Sequence, residues 1–289
     1  MSEDDREKLK EKKNRLSNPI ILAHGICPFD RVVPPFSSLD NGDDDRSHYF
    51  RKIRSTLISN DYVAHHSRVS WAADLNRRAS DLKDEIIRIT DNFSRWPRIH
   101  IIAHSMGGLD SRLMIYKYQL QDRVASLTTI GTPHLGTSYA DWGIKRFGIL
   151  LNIIRPLGLN LQGFKNLTRE SCKKLNERLQ AFEENNGVLY RTVAGVQPLN
   201  RIFWPLRFSY RIIWREEGPN DGLVSRRSAM WRDSYFLGEM DADHLNQIGW
   251  WDRSEAIAGM DRETFEKNIR DLYLKLAGGL TQVEKSFSH

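Results

Sequence analysis

The segment at positions 101–108, Ile-Ile-Ala-His-Ser-Met-Gly-Gly, constrains the fold of this chain more than any other. A run of apolar residues ends at the small residue Ala103, Ser105 follows, and the sequence beyond it is typical of a helix. Small neighbours let the backbone turn sharply from a strand into a helix and push the serine hydroxyl outward. The segment therefore predicts a nucleophile elbow at Ser105, although Ala103 stands where the usual G-x-S-x-G pattern has glycine.

Strand-like and helix-like segments alternate on both sides of this turn. Ser47 is expected to cap a helix that runs to residue 58, because apolar residues recur there at helical spacing. Such alternation predicts an α/β fold with a mostly parallel sheet that is wound by helices on both faces. The other expected strands lie at 19–23, 62–64, 99–103 and 124–130, and the other helices at 74–89 and 107–118.

The regular alternation ends after Asp141. The apolar stretch at 142–164 is typical either of a lid over the site or of a fixed cap packed like core. For the aromatic and arginine-rich run at 201–215 we favour a buried strand that begins after Pro205, with contact to an anionic lipid surface as the alternative. Beyond 141 we also expect a helix at 166–182, a strand at 189–194 and a terminal helix at 262–276.

These segments define the expected domain organisation. Residues 1–17 are predicted to be a charged arm, and residues 18–289 one domain with a cap inserted at about 141–185. The arm lacks the apolar core of a secretory signal, so we expect a cytoplasmic protein. Cys27 and Cys172 are then free thiols, as a reducing compartment would keep them.

The composition is that of an ordinary globular protein, with 40% hydrophobic and 28% charged residues. No apolar run reaches the roughly 18 residues that a transmembrane helix needs. The net charge of +6 comes from basic residues spread along the chain. Because no nucleic-acid-binding motif accompanies them, we expect no nucleic-acid partner. The sequence carries no signal for the oligomeric state.

A serine hydroxyl becomes a nucleophile only when a base takes its proton and a carboxylate orients that base. In a fold of this class the order along the chain is serine, acid, histidine. Three histidines follow Ser105: His134 lies just after the next strand, His289 is terminal, and His244 is left as the base.

Asp221 is the predicted acid, because it lies in the Gly-Pro-Asn-Asp-Gly turn at 218–222, and such loops at strand ends carry catalytic acids. Asp241 and Asp243 are the alternatives, since they lie beside the histidine in sequence.

The reaction also needs donors for the oxyanion that forms on the carbonyl. The backbone N–H groups of Met106, directly after the serine, and of Ile26, on the loop after the first strand, are the predicted donors. Gly25 would let that loop approach the substrate closely, and His24 would orient it. We assign His24, Gly25, His104 and Leu135 to the substrate-binding side of the site.

Five motifs together resemble the true-lipase branch of the α/β-hydrolases. They are NPIILAHG at 18–25, AHSMGGLDSR at 103–112, GTPHLG at 131–136, NDG at 220–222 and DHL at 243–245. The resemblance covers about residues 18–251 and implies triacylglycerol lipase or carboxylesterase activity, with Ser105, Asp221 and His244 as the triad. It also favours a cap that lines the acyl pocket, so an ester or lipid is the expected substrate and a lipid interface a possible partner.

One departure from the family concerns metal. Many bacterial members bind a structural calcium through an aspartate shortly after the catalytic histidine, but Leu245, Asn246 and Gln247 follow here. Calcium needs several hard oxygen ligands, so we predict no required metal and no cofactor. Two other functions remain open: acyl transfer through the same triad, and a hydrolase fold that serves only as a binding protein.

Overall fold

The structure, a computed structural model, describes residues 16–26, 44–70, 73–154, 162–257 and 259–286. Within these residues one sheet of six strands has the order β2-β1-β3-β4-β5-β6, and every neighbouring pair is parallel. Parallel strands present all their carboxyl ends at one edge, where α/β proteins place their sites. The strands are β1 (Ile20–Ala23), β2 (Ala64–His66), β3 (Ile99–His104), β4 (Val124–Ile130), β5 (Leu189–Gly195) and β6 (Phe236–Met240).

Ten α-helices connect and flank these strands in the described part of the chain. They are α1 (Ile53–Ser59), α2 (Leu75–Thr90), α3 (Met106–Lys117), α4 (Ser138–Ile154), α5 (Gln162–Lys165), α6 (Arg169–Glu183), α7 (Arg207–Glu217), α8 (Arg226–Met230), α9 (Arg253–Ile257) and α10 (Arg262–Ser286). No helix among the described residues is both long and apolar enough to cross a membrane.

The core lies in two layers, one on each face of the sheet. In β1, Ile21 points into a cluster with α2, α3 and α6, whereas Ile20 and Leu22 point into a cluster with α1 and α10. Side chains alternate between the faces of a strand, and all three are fully buried because helices cover both faces. The predicted doubly wound parallel sheet is therefore confirmed.

The helix that was expected to begin at Ser47 begins at Ile53 instead. Residues 45–52 form turns held by Asp45, whose backbone carbonyl accepts from Lys52 and whose carboxylate accepts from Ser55. The prediction was wrong because Phe50 is buried near the end of these turns and lies at helical spacing from the buried residues of α1.

The expected strand at 208–214 is also wrong, since this run is helix α7. Its buried residues Ser209, Tyr210 and Ile213 recur at helical spacing and lie on one face. Pro205 lies in a 3₁₀ turn, Trp204–Leu206, that leads into the helix, where its missing N–H costs nothing. Aromatic residues indicate a strand only where they pack in a sheet, and here the buried side of the run packs as one face of a helix.

The connection between β4 and β5 contains the region predicted to be a cap. Its helix α6 packs with the body of the fold, because Leu175 and Leu179 belong to the core cluster beside α3. Helices α4 and α5 remain as candidates for a cap that covers the site. Residues 155–161 and the side chains of 147–154 lie outside the described residues, as do Cys27 and most of the arm at 1–17.

Candidate active site

Ser105 lies on a strained turn between β3 and α3. Its backbone has φ 55° and ψ −133°, a left-handed conformation that few non-glycine residues adopt. Close packing enforces the turn: a Cβ on Gly107 would lie 2.4 Å from the carbonyl oxygen of Ala23, and a Cβ on Gly25 would lie 2.6 Å from the Cβ of Ser105. The elbow therefore depends on Gly25, which lies against the serine in space, and on Gly107, which follows it in the chain. It does not depend on a glycine at position 103.

The turn brings Ser105 to the carboxyl edge of the sheet, beside two residues from distant loops. The Oγ of Ser105 lies 3.0 Å from Nε2 of His244, and Nδ1 of His244 lies 2.8 Å from Oδ2 of Asp221. All three side chains are buried. With Nδ1–H donated to the carboxylate, Nε2 is free to accept the hydroxyl proton, which is the arrangement that nucleophilic catalysis by serine requires.

The Asp221 carboxylate accepts four hydrogen bonds. Its Oδ1 accepts from the N–H groups of Leu223 and Val224 at 2.9 and 2.7 Å. Its Oδ2 accepts from His244 and also from Nε2 of Gln247, at 2.7 Å. The carboxylate is thus fixed in place, and the two residues directly after the turn at 220–222 supply half of its donors.

Gln247 is the residue that the sequence analysis missed. It lies in the stretch after His244 that was considered only for a metal-binding carboxylate. A Cβ on Gly131 or on Gly195 would lie 2.1 Å from its side-chain amide, so the ends of β4 and β5 leave room for it. In the sequence, the glycines at the ends of these two strands were the signal that another side chain packs there.

The alternative acids, Asp241 and Asp243, have other partners. Asp241 is exposed and forms an ion pair with Arg201 at 2.6 Å. Asp243 is buried and accepts from three backbone N–H groups, those of Phe203, Leu245 and Asn246. Burial raises the pKa of Asp243 to about 7. Asp243 therefore shapes the turn that carries His244, while Asp221 contacts the imidazole.

Two of the predicted substrate-side histidines are buried behind the serine. His24 contacts the carbonyl of Gly25 through Nδ1 at 2.8 Å, and burial lowers its pKa to about 3. His104 contacts the hydroxyl of Tyr49 through Nδ1 at 2.7 Å, and its ring centroid lies 4.5 Å from that of His244. Burial, together with His244, holds the pKa of His104 well below its usual range. Both side chains therefore remain neutral and act as fixed walls.

The two predicted oxyanion donors flank the serine. Met106 is the first residue of α3, so its N–H has no acceptor within the helix. Ile26 lies on the loop after β1, and this loop is held by Arg78, which donates to the carbonyl of His24 at 2.8 Å. Arg78 is itself fixed by a buried ion pair with Asp110 of α3 at 2.7 Å. The guanidinium thus ties the loop of Ile26 to the helix of Met106.

The remaining predicted residues lie further along the same edge. Leu135, on the loop after β4, donates its N–H to the hydroxyl of Ser228 at 3.0 Å, so α8 rather than the triad holds it. His134 is buried, contacts Thr129 at 2.8 Å and stacks on Trp231 with 4.4 Å between centroids. Its surroundings are those of a core residue.

The described residues contain no group of three or more His, Cys, Asp or Glu side chains able to hold a metal ion. Asn246, close behind His244, is engaged in the turn: its Oδ1 accepts from the N–H of Asp243, and its Nδ2 donates to the carbonyl of Trp250. An amide used in this way stabilises the turn that carries His244.

Comparison with known proteins finds one matching family model and relatives that are named as lipases. Residues 58–168 match the family model described as a PGAP1-like alpha/beta domain. The chain is 28% identical over 269 residues to Triacylglycerol lipase 2 of Saccharomyces cerevisiae. The match covers 81% of this chain and 80% of the yeast protein. A triacylglycerol lipase of Pseudarthrobacter phenanthrenivorans is 32% identical over 127 residues, and the match spans only 35% of that protein.

The fold has a similar counterpart among solved structures. The lipase of Staphylococcus hyicus superposes with a TM-score of 0.67 and 20% identity, covering 96% of this chain and 98% of the lipase. The parallel sheet, the strained serine turn and these relatives agree with one another. The fold is that of the α/β-hydrolases, and the relatives that the chain resembles in sequence are lipases.

Proposed function

We propose that this protein hydrolyses carboxylic esters of lipid type through an acyl-enzyme on Ser105. The observation that carries the proposal is the chain of hydrogen bonds from Ser105 through His244 to Asp221, at 3.0 and 2.8 Å. The names of its relatives, which are lipases, support the substrate class.

In the proposed reaction, His244 Nε2 takes the hydroxyl proton while Ser105 Oγ attacks the ester carbonyl. Asp221 keeps the imidazole in the tautomer that accepts this proton and stabilises the imidazolium that forms. The N–H groups of Met106 and Ile26 bind the oxyanion, and the amino end of α3 adds a favourable dipole. His244 then protonates the leaving alcohol, and water repeats the steps to release the acid.

The test is hydrolysis of p-nitrophenyl esters, from acetate to palmitate, by the wild type and by the Ser105→Ala variant. We expect the variant to lose at least about 10³-fold in kcat, since the nucleophile cannot be replaced. Ser111→Ala is the matched control, because this buried hydroxyl in the same helix donates to the carbonyl of Gly107 and to no triad residue. Equal rates for the wild type and the Ser105→Ala variant on every ester would refute the proposal.

The reaction products distinguish hydrolysis from acyl transfer through the same site. With an alcohol acceptor present, a hydrolase releases mainly free acid, whereas an acyltransferase releases mainly the new ester. A protein that only binds would show neither product, and Ser105 would not be labelled by an organophosphonate probe.

A further inference from the structure

Helix α7 carries an exposed face that combines aromatic rings with arginines. The exposed fractions of Trp204, Phe208 and Trp214, on the helix and the turn before it, are 72, 53 and 51%. Arg211 and Arg215 are exposed on the same helix, and neither guanidinium forms an ion pair among the described residues. We call these five residues the α7 face.

The face lies opposite the side by which α7 packs on the protein. Phe208, Arg211 and Arg215 follow one another at spacings of three and four residues and so line one side of the helix. The two carboxylates of α7 are engaged elsewhere: Glu216 pairs with Arg169 at 2.8 Å, and Glu217 accepts from the N–H of Ser138 at 2.7 Å. The α7 face therefore presents uncompensated positive charge among its rings.

This chemistry matches the headgroup region of an anionic lipid layer. Tryptophan and phenylalanine place apolar rings at the boundary between headgroups and acyl chains. Arginine stems extend along such a boundary while their guanidinium groups bind lipid phosphates. The face is an exposed helix side, which suits a lipid surface better than a small ligand.

We propose that the α7 face docks this protein on a lipid surface that contains anionic phospholipids. The inference rests on the proposed function in one respect: an enzyme that cleaves lipid esters must reach substrates held in a surface. It names a binding site that ester hydrolysis does not require, because a dissolved ester would reach the triad without it.

The α7 face is fixed to the site that it would serve. Ser209 of α7 donates its hydroxyl to the carbonyl of Gly222, directly after Asp221, at 2.5 Å. Phe208 packs edge-on against Trp142 of α4, with 5.0 Å between centroids. Docking through this helix would therefore orient both the loop of the catalytic acid and the candidate cap toward the lipid.

The test measures sedimentation with vesicles in the Ser105→Ala background, so that no lipid is consumed. The probes are vesicles of phosphatidylcholine alone and of phosphatidylcholine mixed with phosphatidylglycerol. We expect binding to the mixed vesicles only, and a drop of about 20-fold or more in the partition coefficient for Arg211→Gln/Arg215→Gln, since each basic residue at an anionic surface contributes about fivefold. Replacing Trp204, Phe208 and Trp214 together by alanine should also abolish binding.

The matched control is Arg95→Gln/Arg123→Gln, which removes the same charge from exposed residues. These two arginines precede β3 and β4, at the amino ends of the strands, whereas the triad lies at the carboxyl ends. This pair should leave vesicle binding within about twofold, because screening confines the attraction to residues near the surface. The proposal is overturned if the wild-type face binds neither vesicle, if it binds both equally, or if the control pair weakens binding as much as the α7 pair.

Two further measurements keep the result interpretable. The thermal unfolding midpoint of each variant shows whether it is folded, and surface substitutions of this kind change stability little. Hydrolysis of a soluble short-chain ester by the protein with Ser105 intact tests the proposed function separately. Vesicle binding without hydrolysis would refute the proposed function alone, and hydrolysis without vesicle binding would refute the docking proposal alone.

Discussion

At the scale of single residues, the site depends on how the acid is held as much as on the three reacting groups. The Asp221 carboxylate receives two backbone donors and two side-chain donors, and Gln247 shares Oδ2 with His244. A carboxylate with this many fixed donors cannot rotate away from the imidazole. Gln247 is thus a positioning residue that acts on His244 through Asp221.

We expect Gln247→Leu to lower kcat by about 10- to 100-fold with little change in KM, because a hydrogen bond to a charged group contributes about 1.5–3 kcal/mol. Steady-state kinetics on a soluble ester measure this change. Gln197→Leu is the control, since this buried amide donates to the carboxylate of Glu255 at 2.6 Å and to the carbonyl of Asp241, and not to a triad side chain. A similar decrease in kcat for both variants, or a change in KM alone, would mean that Gln247 has only a structural role.

At the scale of elements, the serine turn is held by the contact of α3 with β1. Gly107 lies so close to Ala23 and His24 that their backbone carbonyls occupy the place of a side chain. The first strand and its loop therefore support the nucleophile directly. The same packing sets the distance between Met106 and Ile26, the two proposed oxyanion donors.

Gly107→Ala should destabilise the protein by about 1–3 kcal/mol and reduce activity, because the new methyl meets backbone atoms that cannot move aside. Gly278→Ala is the matched change in α10, where the nearest atom to a new Cβ lies 3.9 Å away. There the same methyl should stabilise the protein by about 0.5–1 kcal/mol, since alanine favours helix over glycine. Chemical denaturation of both variants measures the difference, and equal effects would contradict this explanation.

At the scale of the whole molecule, the fold buries histidines on both faces of the sheet and keeps them neutral. Burial lowers the pKa of five of them, to about 3 for His24, to about 4 for the partly buried His65 and well below the usual range for the others. The other three are His66, His104 and His134. Burial acts in the opposite sense on two aspartates, raising the pKa of Asp110 to about 6 and that of Asp243 to about 7.

These shifts predict that the protein loses stability as the pH falls below 6.5. On unfolding near pH 5, each of the five histidines takes up a proton that the native state excludes, while Asp110 and Asp243 release theirs. The net uptake of about three protons lowers the free energy of unfolding by about 4 kcal/mol for each unit by which the pH falls. Urea denaturation between pH 5 and 7 measures this slope.

A single substitution tests the origin of the pH dependence. His66→Phe removes one titrating group beside Phe50, with which His66 is already stacked. The slope of stability against pH should therefore decrease by about one proton, or about 1.4 kcal/mol per pH unit. An unchanged slope in this variant, or a wild type equally stable at pH 5 and 7, would contradict the prediction.

The sequence by itself determined the features that depend on local pattern. Periodicity and β-branched runs predicted β1, β3, β4, α2 and α3 to within a residue or two, because buried strands and amphipathic helices repeat at fixed intervals. Small residues around Ser105 predicted the strained turn, and chain order with turn composition singled out His244 and Asp221. These signals are local, so a single chain carries them.

Tertiary structure decided what depends on contacts between distant segments. The aromatic run at 207–217 became a helix because Ser209, Tyr210 and Ile213 pack inward together at helical spacing. Gln247 reaches Asp221 only because two glycines lie beside it, Gly131 directly after β4 and Gly195 at the end of β5. The same packing leaves Trp204, Phe208 and Trp214 exposed. Burial of this kind is decided by the complete fold, since propensity and spacing describe only residues that are neighbours along the chain.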